Sequence, residues 1–118
     1  MSLGSYQIAE TFCSHRFAET YPYMAGEIKW KIIGRAELVG REAVIGRCVE
    51  SAKFLETVST TFLKLKIHRA EPYMIVEGAA EFQGQENQIS SVASCDIFRF
   101  SEGQLVEITS YVIELNKP

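Results

Sequence analysis

Two segments of the chain carry apolar residues at helical spacing. Ile8, Phe12 and His15 recur at i, i+4 and i+7, which predicts a short amphipathic helix from Ser5 to about Phe17. A longer helix is predicted from Arg41 to Leu55. Its apolar stripe comprises Val44, Cys48, Ala52 and Leu55, widened by Ile45 and Val49. Each helix is therefore expected to bury one face.

The segment between these helices changes from a helical to a strand-like pattern. A short helical pattern from about Glu19 to Ala25 contains Pro22, which suits the start of a helix better than its interior. From Glu27 to Ile33 apolar residues alternate with charged ones, which predicts a short strand that Gly34 ends. The residues from Arg35 to Gly40 are predicted to form a loop.

Period-two alternation dominates the rest of the chain and predicts four longer strands. These strands are predicted at Thr57–Arg69, Tyr73–Gln83, Gln88–Phe100 and Gln104–Leu115. In the first of them, one face is expected to hold Thr61, Leu63, Leu65 and Ile67, and the other Phe62, Lys64, Lys66 and His68. Glycine-containing turns at Gly84–Asn87 and at Glu102–Gly103 predict hairpin connections, and therefore an antiparallel meander.

The order of these elements predicts the fold class. About three helices come first and the strands come last, which is typical of a segregated α+β fold with helices on one face of a curved sheet. A length of 118 residues and an apolar fraction of 47% suit one globular domain spanning residues 1–118. No internal repeat is visible.

Charge and hydropathy exclude several classes of function. The net charge of -3 argues against nucleic acid, which normally requires a basic face. The apolar runs are a few residues long, whereas a membrane-spanning helix needs about 20, so no membrane partner is expected. The N-terminal residues lead directly into a polar helical pattern, without a signal peptide. A cytoplasmic location is therefore expected.

The cysteine pattern argues against disulfides and metal binding. Cys13, Cys48 and Cys95 are odd in number, lack a C-x-x-C spacing and lie in apolar contexts. We expect buried free thiols in a reducing compartment, with a reactive thiol as the alternative. The two histidines are far apart and the sequence contains no clustered ligands, so no metal and no cofactor are expected.

One carboxylate stands out as a candidate functional group. Asp96 is the only aspartate among 15 acidic residues, and strand alternation places it on one face with Ser94, Phe98 and Phe100. Burial on a phenylalanine-lined face disfavours the charged form, so Asp96 is a candidate for a neutral hydrogen-bond donor. The alternative is that Asp96 accepts hydrogen bonds from buried backbone groups or from a hydroxyl such as that of Tyr6 or Tyr23.

The sequence resembles the SnoaL-like group of the nuclear transport factor 2-like superfamily. The resemblance rests on "EIKWKIIG" (27–34), "LVGREAVIGR" (38–47) and "SCDIFRFSEGQLVEITSYV" (94–112), and it covers the chain from about Phe12 onward. It implies a cone in which a strongly bent antiparallel sheet wraps around the helices and encloses a cavity at its open end. It also implies homodimers that pair through the convex face of the sheet.

The resemblance implies a role for Asp96, but the carboxylate base of the same enzymes has no match in this chain. Ketosteroid isomerases of this superfamily keep a protonated aspartic acid in their oxyanion hole, and Asp96 occupies the matching strand position. The same enzymes need a carboxylate base near the end of the first strand, where this chain has Trp30 or Lys31, and Glu27 lies several residues too early. Lys31 is either a desolvated base or imine-forming amine, or a solvated lysine. The histidine-aspartate pair of the polyketide cyclases and the aspartate-arginine-aspartate site of the related epoxide hydrolases are not matched either.

Several residues are expected to complete the site. His15 shares its helical stripe with Ile8 and Phe12, so it is a candidate acid or base beside Asp96, or else a core residue. His68 lies on a polar stripe and is expected to be solvated. The predicted substrate-binding residues are Trp30, Val76, Phe98, Ile108 and Val112, with Met74 on the same parity; the alternative is that they fill the core.

The expected function follows from these candidates. The chain is expected to bind a small hydrophobic ligand, and to act as an isomerase, cyclase or dehydratase on a carbonyl compound, with Asp96 and His15 as catalytic residues. The alternative is a non-catalytic module for ligand binding or dimerisation, which the missing carboxylate base favours.

Overall fold

The computed structural model describes residues 2–116, so the two ends of the expected 1–118 domain lie outside the described residues. The helices are α1 (Ser5–Cys13), a 3₁₀ helix (Phe17–Tyr23) and α2 (Arg41–Leu55), with a further 3₁₀ turn at Gln85–Asn87. The strands are β1 (Met24–Ile32), β2 (Ala36–Val39), β3 (Ser59–Ala70), β4 (Tyr73–Gln83), β5 (Ile89–Ser101) and β6 (Gln104–Glu114). The fold is α+β, as the sequence predicts.

The six strands form one curved, open sheet in the order β2-β1-β6-β5-β4-β3. Strands β3 to β6 form the predicted antiparallel meander, while β1 joins β6 in parallel and carries β2 as an antiparallel edge strand. The predicted loop at 35–40 is therefore wrong, because it contains β2. Gly34 and Gly40 flank this strand with φ of 78° and 94°, which glycine adopts without steric cost.

The helices cover one face of the sheet, here called the inner face. Helix α1 packs against β4 and α2 packs against β1. The residues between these helices and the sheet are mostly fully buried. They include Ile8, Phe12, Ile28, Trp30, Val44, Cys48, Met74, Val76, Phe98, Leu105 and Ile108. Burial of this apolar surface is the main force that holds the helices on the sheet.

The predicted element boundaries hold for α2 and β4 and shift elsewhere. Helix α2 spans the predicted residues, whereas α1 ends at Cys13 instead of Phe17, and His15 follows it with a φ of 67°. The second helix is a 3₁₀ helix that holds Pro22 in its interior. Proline has no backbone N–H, so the helix lacks the hydrogen bond that another residue at this position would donate.

A bulge in β3 changes which of its side chains face inward. The register shifts between Phe62 and Lys64, so Leu63 has no partner on β4. Phe62 pairs with Ala80 and Leu65 pairs with Gly78, which places Phe62 and Leu65 on the same inner face. The predicted alternation is therefore wrong for Phe62 and Leu63, and Leu63 is 59% exposed.

Candidate functional site

A cavity of about 790 Å³ lies between the helices and the inner face of the sheet. Ser110 and Trp30 line its buried end, where Ser110 is only 3% exposed. Phe54 and Phe62 line its open end and are 56% and 46% exposed. The volume falls in the range of about 300–1,000 Å³ that is typical of small-molecule sites.

Asp96 lies in this cavity and accepts two hydrogen bonds. Ser110 Oγ donates to Asp96 Oδ1 at 2.5 Å, and Cys13 Sγ donates to Asp96 Oδ2 at 3.8 Å. The register of the last hairpin explains the first contact, since Asp96 and Ser110 are direct partners across β5 and β6. The hydroxyl that contacts Asp96 is thus that of Ser110, not that of Tyr6 or Tyr23.

Trp30 extends this hydrogen-bonded chain. Its indole Nε1–H donates to Ser110 Oγ at 2.9 Å, across the parallel pair of β1 and β6. Trp30 also packs edge-on against Phe12, with ring centroids 5.4 Å apart. The order of donation is therefore Trp30 to Ser110 to Asp96, with Cys13 donating to the carboxyl from the other side.

Burial dominates the electrostatics of these groups. It raises the pKa of Asp96 above its ordinary value, although the hydrogen bonds from Ser110 and Cys13 partly oppose that rise. Burial and the neighbouring Asp96 charge raise the pKa of the Cys13 thiol well above its ordinary value. The thiol therefore stays protonated at neutral pH and acts as a weak donor instead of a nucleophile.

His15 lies on the wall of the same cavity, as predicted, but among aromatic rings. The centroid of its imidazole is 5.0 Å from the ring centroid of Phe62, 5.7 Å from that of Phe17 and 6.2 Å from that of Phe82. The imidazole stacks on the Phe82 ring. Burial lowers the pKa of His15 below its ordinary value, so the ring is neutral at pH 7. No hydrogen bond within residues 2–116 joins His15 to Asp96.

The predicted ligand-binding residues divide into two groups. Trp30, Val76 and Val112 line the cavity. Phe98 and Ile108 are register partners that are 0% exposed and belong to the core, so the expectation that they face the cavity is wrong. Phe12 covers this part of the inner face, with its ring centroid 5.5 Å from that of Phe98.

The end of β1 carries no carboxylate toward the cavity. Trp30 and Ile32 point inward, whereas Lys31 lies on the other face and pairs with Glu107 at 3.6 Å. Glu27 is exposed. Of the two alternatives for Lys31, the solvated lysine is therefore the one that the structure supports. His68 also lies on the outer face, where its Nε2 is 2.6 Å from the carboxylate of Glu77.

Several residues that line the cavity were not predicted from the sequence. Cys13 and Ser110 contact Asp96, and Arg47 and Glu50 lie toward the exposed surface of α2. The spacing of Arg47 and Glu50 on α2, one turn apart, is a signal that could have identified these two residues.

Within residues 2–116, no group of three or more histidine, cysteine, aspartate or glutamate residues could hold a metal ion. No helix in that range is long and apolar enough to cross a membrane.

Several solved structures are similar to this fold. An NTF2-like protein of unknown function from Cytophaga hutchinsonii is 30% identical over 92% of this chain and 95% of its own, with a TM-score of 0.81. A protein with a ketosteroid isomerase-like fold from Catenulispora acidiphila, solved in complex with trimethylamine, is 15% identical over 88% of this chain and 83% of its own, with a TM-score of 0.68.

A third similar structure is a candidate SnoaL-like polyketide cyclase from Shewanella denitrificans. It is 13% identical over 92% of this chain and 89% of its own, with a TM-score of 0.70. At this level of identity the likeness shows the fold alone. No protein-family model matches the sequence, and no curated protein matches it.

Proposed function

Because this chain belongs to the NTF2-like family, as the sequence resemblance predicts, we propose that its cavity binds a small hydrophobic carbonyl compound. The observation that carries the proposal is the position of Asp96, whose carboxyl contacts Ser110 and Cys13 on the wall of a largely apolar cavity of about 790 Å³. In its neutral form this carboxyl donates a hydrogen bond to the carbonyl oxygen of the ligand. No cofactor is needed for this step.

The same arrangement supports acid–base chemistry on the bound carbonyl compound. A donor at the carbonyl oxygen stabilises the enolate that forms when an adjacent carbon loses a proton, and such a donor is typically worth about 2.7–4 kcal/mol. We propose that His15, neutral at pH 7 and on the same cavity wall, accepts or returns the proton. Isomerisation, cyclisation and dehydration all use these two steps.

The competing function is ligand binding without catalysis. The carboxylate base of a steroid isomerase is expected where this chain has Trp30 or Lys31, and of these two only Trp30 lines the cavity. The lack of a carboxylate there favours a carrier. Binding itself is common to both functions. The measurement that separates them is turnover: a catalytic protein exchanges the α-hydrogens of a bound ketone with D₂O, and a carrier leaves them in place.

We further propose that the chain forms a homodimer through the outer face of the sheet. Ser110 and Val112 line the cavity, so Tyr111 and Ile113 point to the opposite face, where Ile113 is 61% exposed. Their register partners there are the small residues Cys95 and Ala93. Ile113→Glu should convert a dimer into a monomer in sedimentation velocity, and an unchanged sedimentation coefficient would contradict the proposal.

A reducing, cytoplasmic location is proposed on chemical grounds. Cys13, Cys48 and Cys95 are all free thiols in the structure. Burial raises the pKa of Cys48 to about 12, so this thiol resists oxidation. Free cysteines of this kind are usual where glutathione keeps thiols reduced.

Ligand binding can be tested with one ketone and its hydrocarbon. We expect α-tetralone to bind more tightly than tetralin, which has the same rings without the carbonyl, in titrations followed by NMR. Asp96→Ala should abolish the preference, while Ser94→Ala, at another position on the cavity wall, should keep it. Trimethylamine, the ligand of the Catenulispora protein, is the competing probe. A cavity that binds the amine and shows no preference for the ketone would overturn the proposal.

A further inference from the structure

The hydrogen bonds around Asp96 run in one direction. The indole N–H of Trp30 is a donor only, so Ser110 Oγ accepts at that contact. The Ser110 hydroxyl is left with its own hydrogen, which it donates to Asp96 Oδ1 at 2.5 Å. Because Oδ1 already accepts this hydrogen, a proton bound to the carboxyl is better placed on Oδ2.

The second carboxyl oxygen of Asp96, Oδ2, contacts Cys13. Its neighbour is the Cys13 thiol, with Sγ 3.8 Å away, which donates weakly to a carboxylate and accepts weakly from a protonated Oδ2. The weak contact from Oδ2–H to Sγ is easily exchanged for a bond to a ligand oxygen, which is a better acceptor. A proton on Oδ2 can therefore form a hydrogen bond to a ligand in the cavity. A proton on Oδ1 would instead point at the Ser110 hydroxyl and would not reach the ligand.

No charged group within residues 2–116 forms an ion pair with Asp96. The other titratable and charged groups that line the cavity lie on or beside five elements of the fold. They are Cys13 and His15 from α1 and the residues after it, Arg47 and Glu50 from α2, Arg35 after β1, Lys64 from β3 and Glu114 from β6. Arg35 pairs with Glu114 at 3.3 Å and Lys64 pairs with Glu77 at 3.5 Å, and no ion pair within residues 2–116 includes Asp96. Burial without a paired cation disfavours the carboxylate and raises the pKa of Asp96, which shifts its equilibrium toward the neutral form.

We propose that Trp30 and Ser110 are positioning residues that keep the proton of Asp96 on Oδ2, so that the cavity selects ligands with a neutral carbonyl acceptor and rejects ammonium donors. This inference rests on the proposed function and specifies its ligand class. In the complex, the ligand oxygen accepts from Oδ2–H while Oδ1 keeps its bond from Ser110. Asp96→Asn reproduces this pattern, because an amide that accepts from Ser110 at Oδ1 places its N–H₂ at the position of Oδ2.

The test removes the indole N–H without changing the shape of the side chain. Trp30 is the only tryptophan, so biosynthetic incorporation of benzothienylalanine, which has sulfur in place of the N–H, alters this residue alone. The probe is α-tetralone with a ¹³C carbonyl, and the readout is the infrared stretching frequency of that carbonyl in the cavity. A hydrogen bond from Asp96 lowers this frequency, and a purely structural role of Trp30 would leave it unchanged.

In the wild type we expect a lowered frequency that Asp96→Ala abolishes and Asp96→Asn retains. The benzothienylalanine protein should lose most of the lowering and bind α-tetralone about fivefold more weakly, with tetralin affinity unchanged. Ser110→Ala should do the same, and it provides the test if the substituted protein does not fold.

The outcomes separate the inference from the proposed function. If the wild type shows no lowering, or Asp96→Ala keeps it, the proposed function fails and the inference fails with it. If the wild type shows the lowering and both the benzothienylalanine and Ser110→Ala proteins keep it in full, the proposed function stands and the positioning role is overturned.

Discussion

The ring centroids of His15 and Phe62 lie 5.0 Å apart, and this contact joins the residues after α1 to the edge strand β3. Two unusual backbone features produce it. His15 adopts a φ of 67°, and the bulge at Leu63 turns Phe62 toward the cavity. The aromatic wall of the cavity therefore depends on a left-handed residue on one side and an irregular strand on the other.

His15 should make the protein less stable in acid. Its folded-state pKa is lowered by burial, so the folded protein binds fewer protons at this site than the unfolded chain. The contribution is present above about pH 6.5 and is lost as the pH falls through the lower folded pKa. His15→Asn tolerates the left-handed backbone and does not titrate. In urea unfolding from pH 8 to 5, wild type should lose more stability than the variant, and parallel curves would contradict this.

Asp96 should make the protein less stable as the pH rises, which is the opposite of the effect of His15. Its folded-state pKa is raised, so the folded protein binds more protons, and stability is lost as the pH rises from about 3.8 through the folded pKa. Relative to Asp96→Asn, the wild type should lose up to about 1.4 kcal/mol per pH unit in that window. The ¹³C carboxyl resonance of this single aspartate gives the pKa directly. A midpoint at or below its ordinary value would refute the prediction.

Cys13 should react slowly with iodoacetamide, and faster in Asp96→Asn once the pH exceeds the folded-state pKa of Asp96. Above that pH the Asp96 charge contributes to the raised pKa of the thiol, so removing the charge should increase the thiolate fraction, up to about tenfold for each pKa unit. Peptide mapping by mass spectrometry resolves the three cysteines. Cys48, which is 0% exposed, is the internal control and should remain unmodified in both proteins. An unchanged rate at Cys13 would show that burial alone sets its reactivity.

Two glycines should respond oppositely to alanine. A Cβ at Gly78 would lie 2.8 Å from Ser94 Oγ across β4 and β5, so the Ser94 side chain must move and Gly78→Ala should cost about 1 kcal/mol. The double variant with Ser94→Ala should recover most of this loss. Gly46, inside α2, has nothing within 4 Å of a new Cβ. Gly46→Ala should stabilise the protein by about 0.5–1 kcal/mol. Chemical denaturation of the three variants measures these changes.

The sequence was sufficient for the fold because its periodicities are regular where the elements are long. The alternation of β4, from Met74 to Phe82, and the stripe of α2 both match the structure. Asp96 was predicted correctly as a cavity residue for the same reason, because it lies in a regular stretch of β5. His15 also lines the cavity, but not through the predicted helical stripe, because α1 ends at Cys13. The edge strand β2 was missed because four residues between two glycines are too few for alternation to distinguish a strand from a loop.

The hydrogen-bonded partners of Asp96 depend on irregularities that leave no periodic signal. Counting back from the turn, where Ser101 pairs with Gln104, would place Asp96 opposite Thr109. A register shift between Arg99 and Phe100 places it opposite Ser110 instead. The contact with Trp30 needs the parallel pairing of β1 with β6, which involves residues 80 positions apart. No local pattern predicts such a pairing.

The parallel pairing of β1 with β6 has a consequence for the order of folding. Trp30 emerges from the ribosome long before Ser110, and the ladder that carries both forms only when the last strand is complete. Until then the apolar inward residues of β1 have β2 and the helices as partners, but no strand on their other side. The wall that holds Asp96 is thus the last part of the domain to assemble during synthesis, and non-local pairing of this kind is slow. A chain that stops before β6 lacks both the sheet connection and the site.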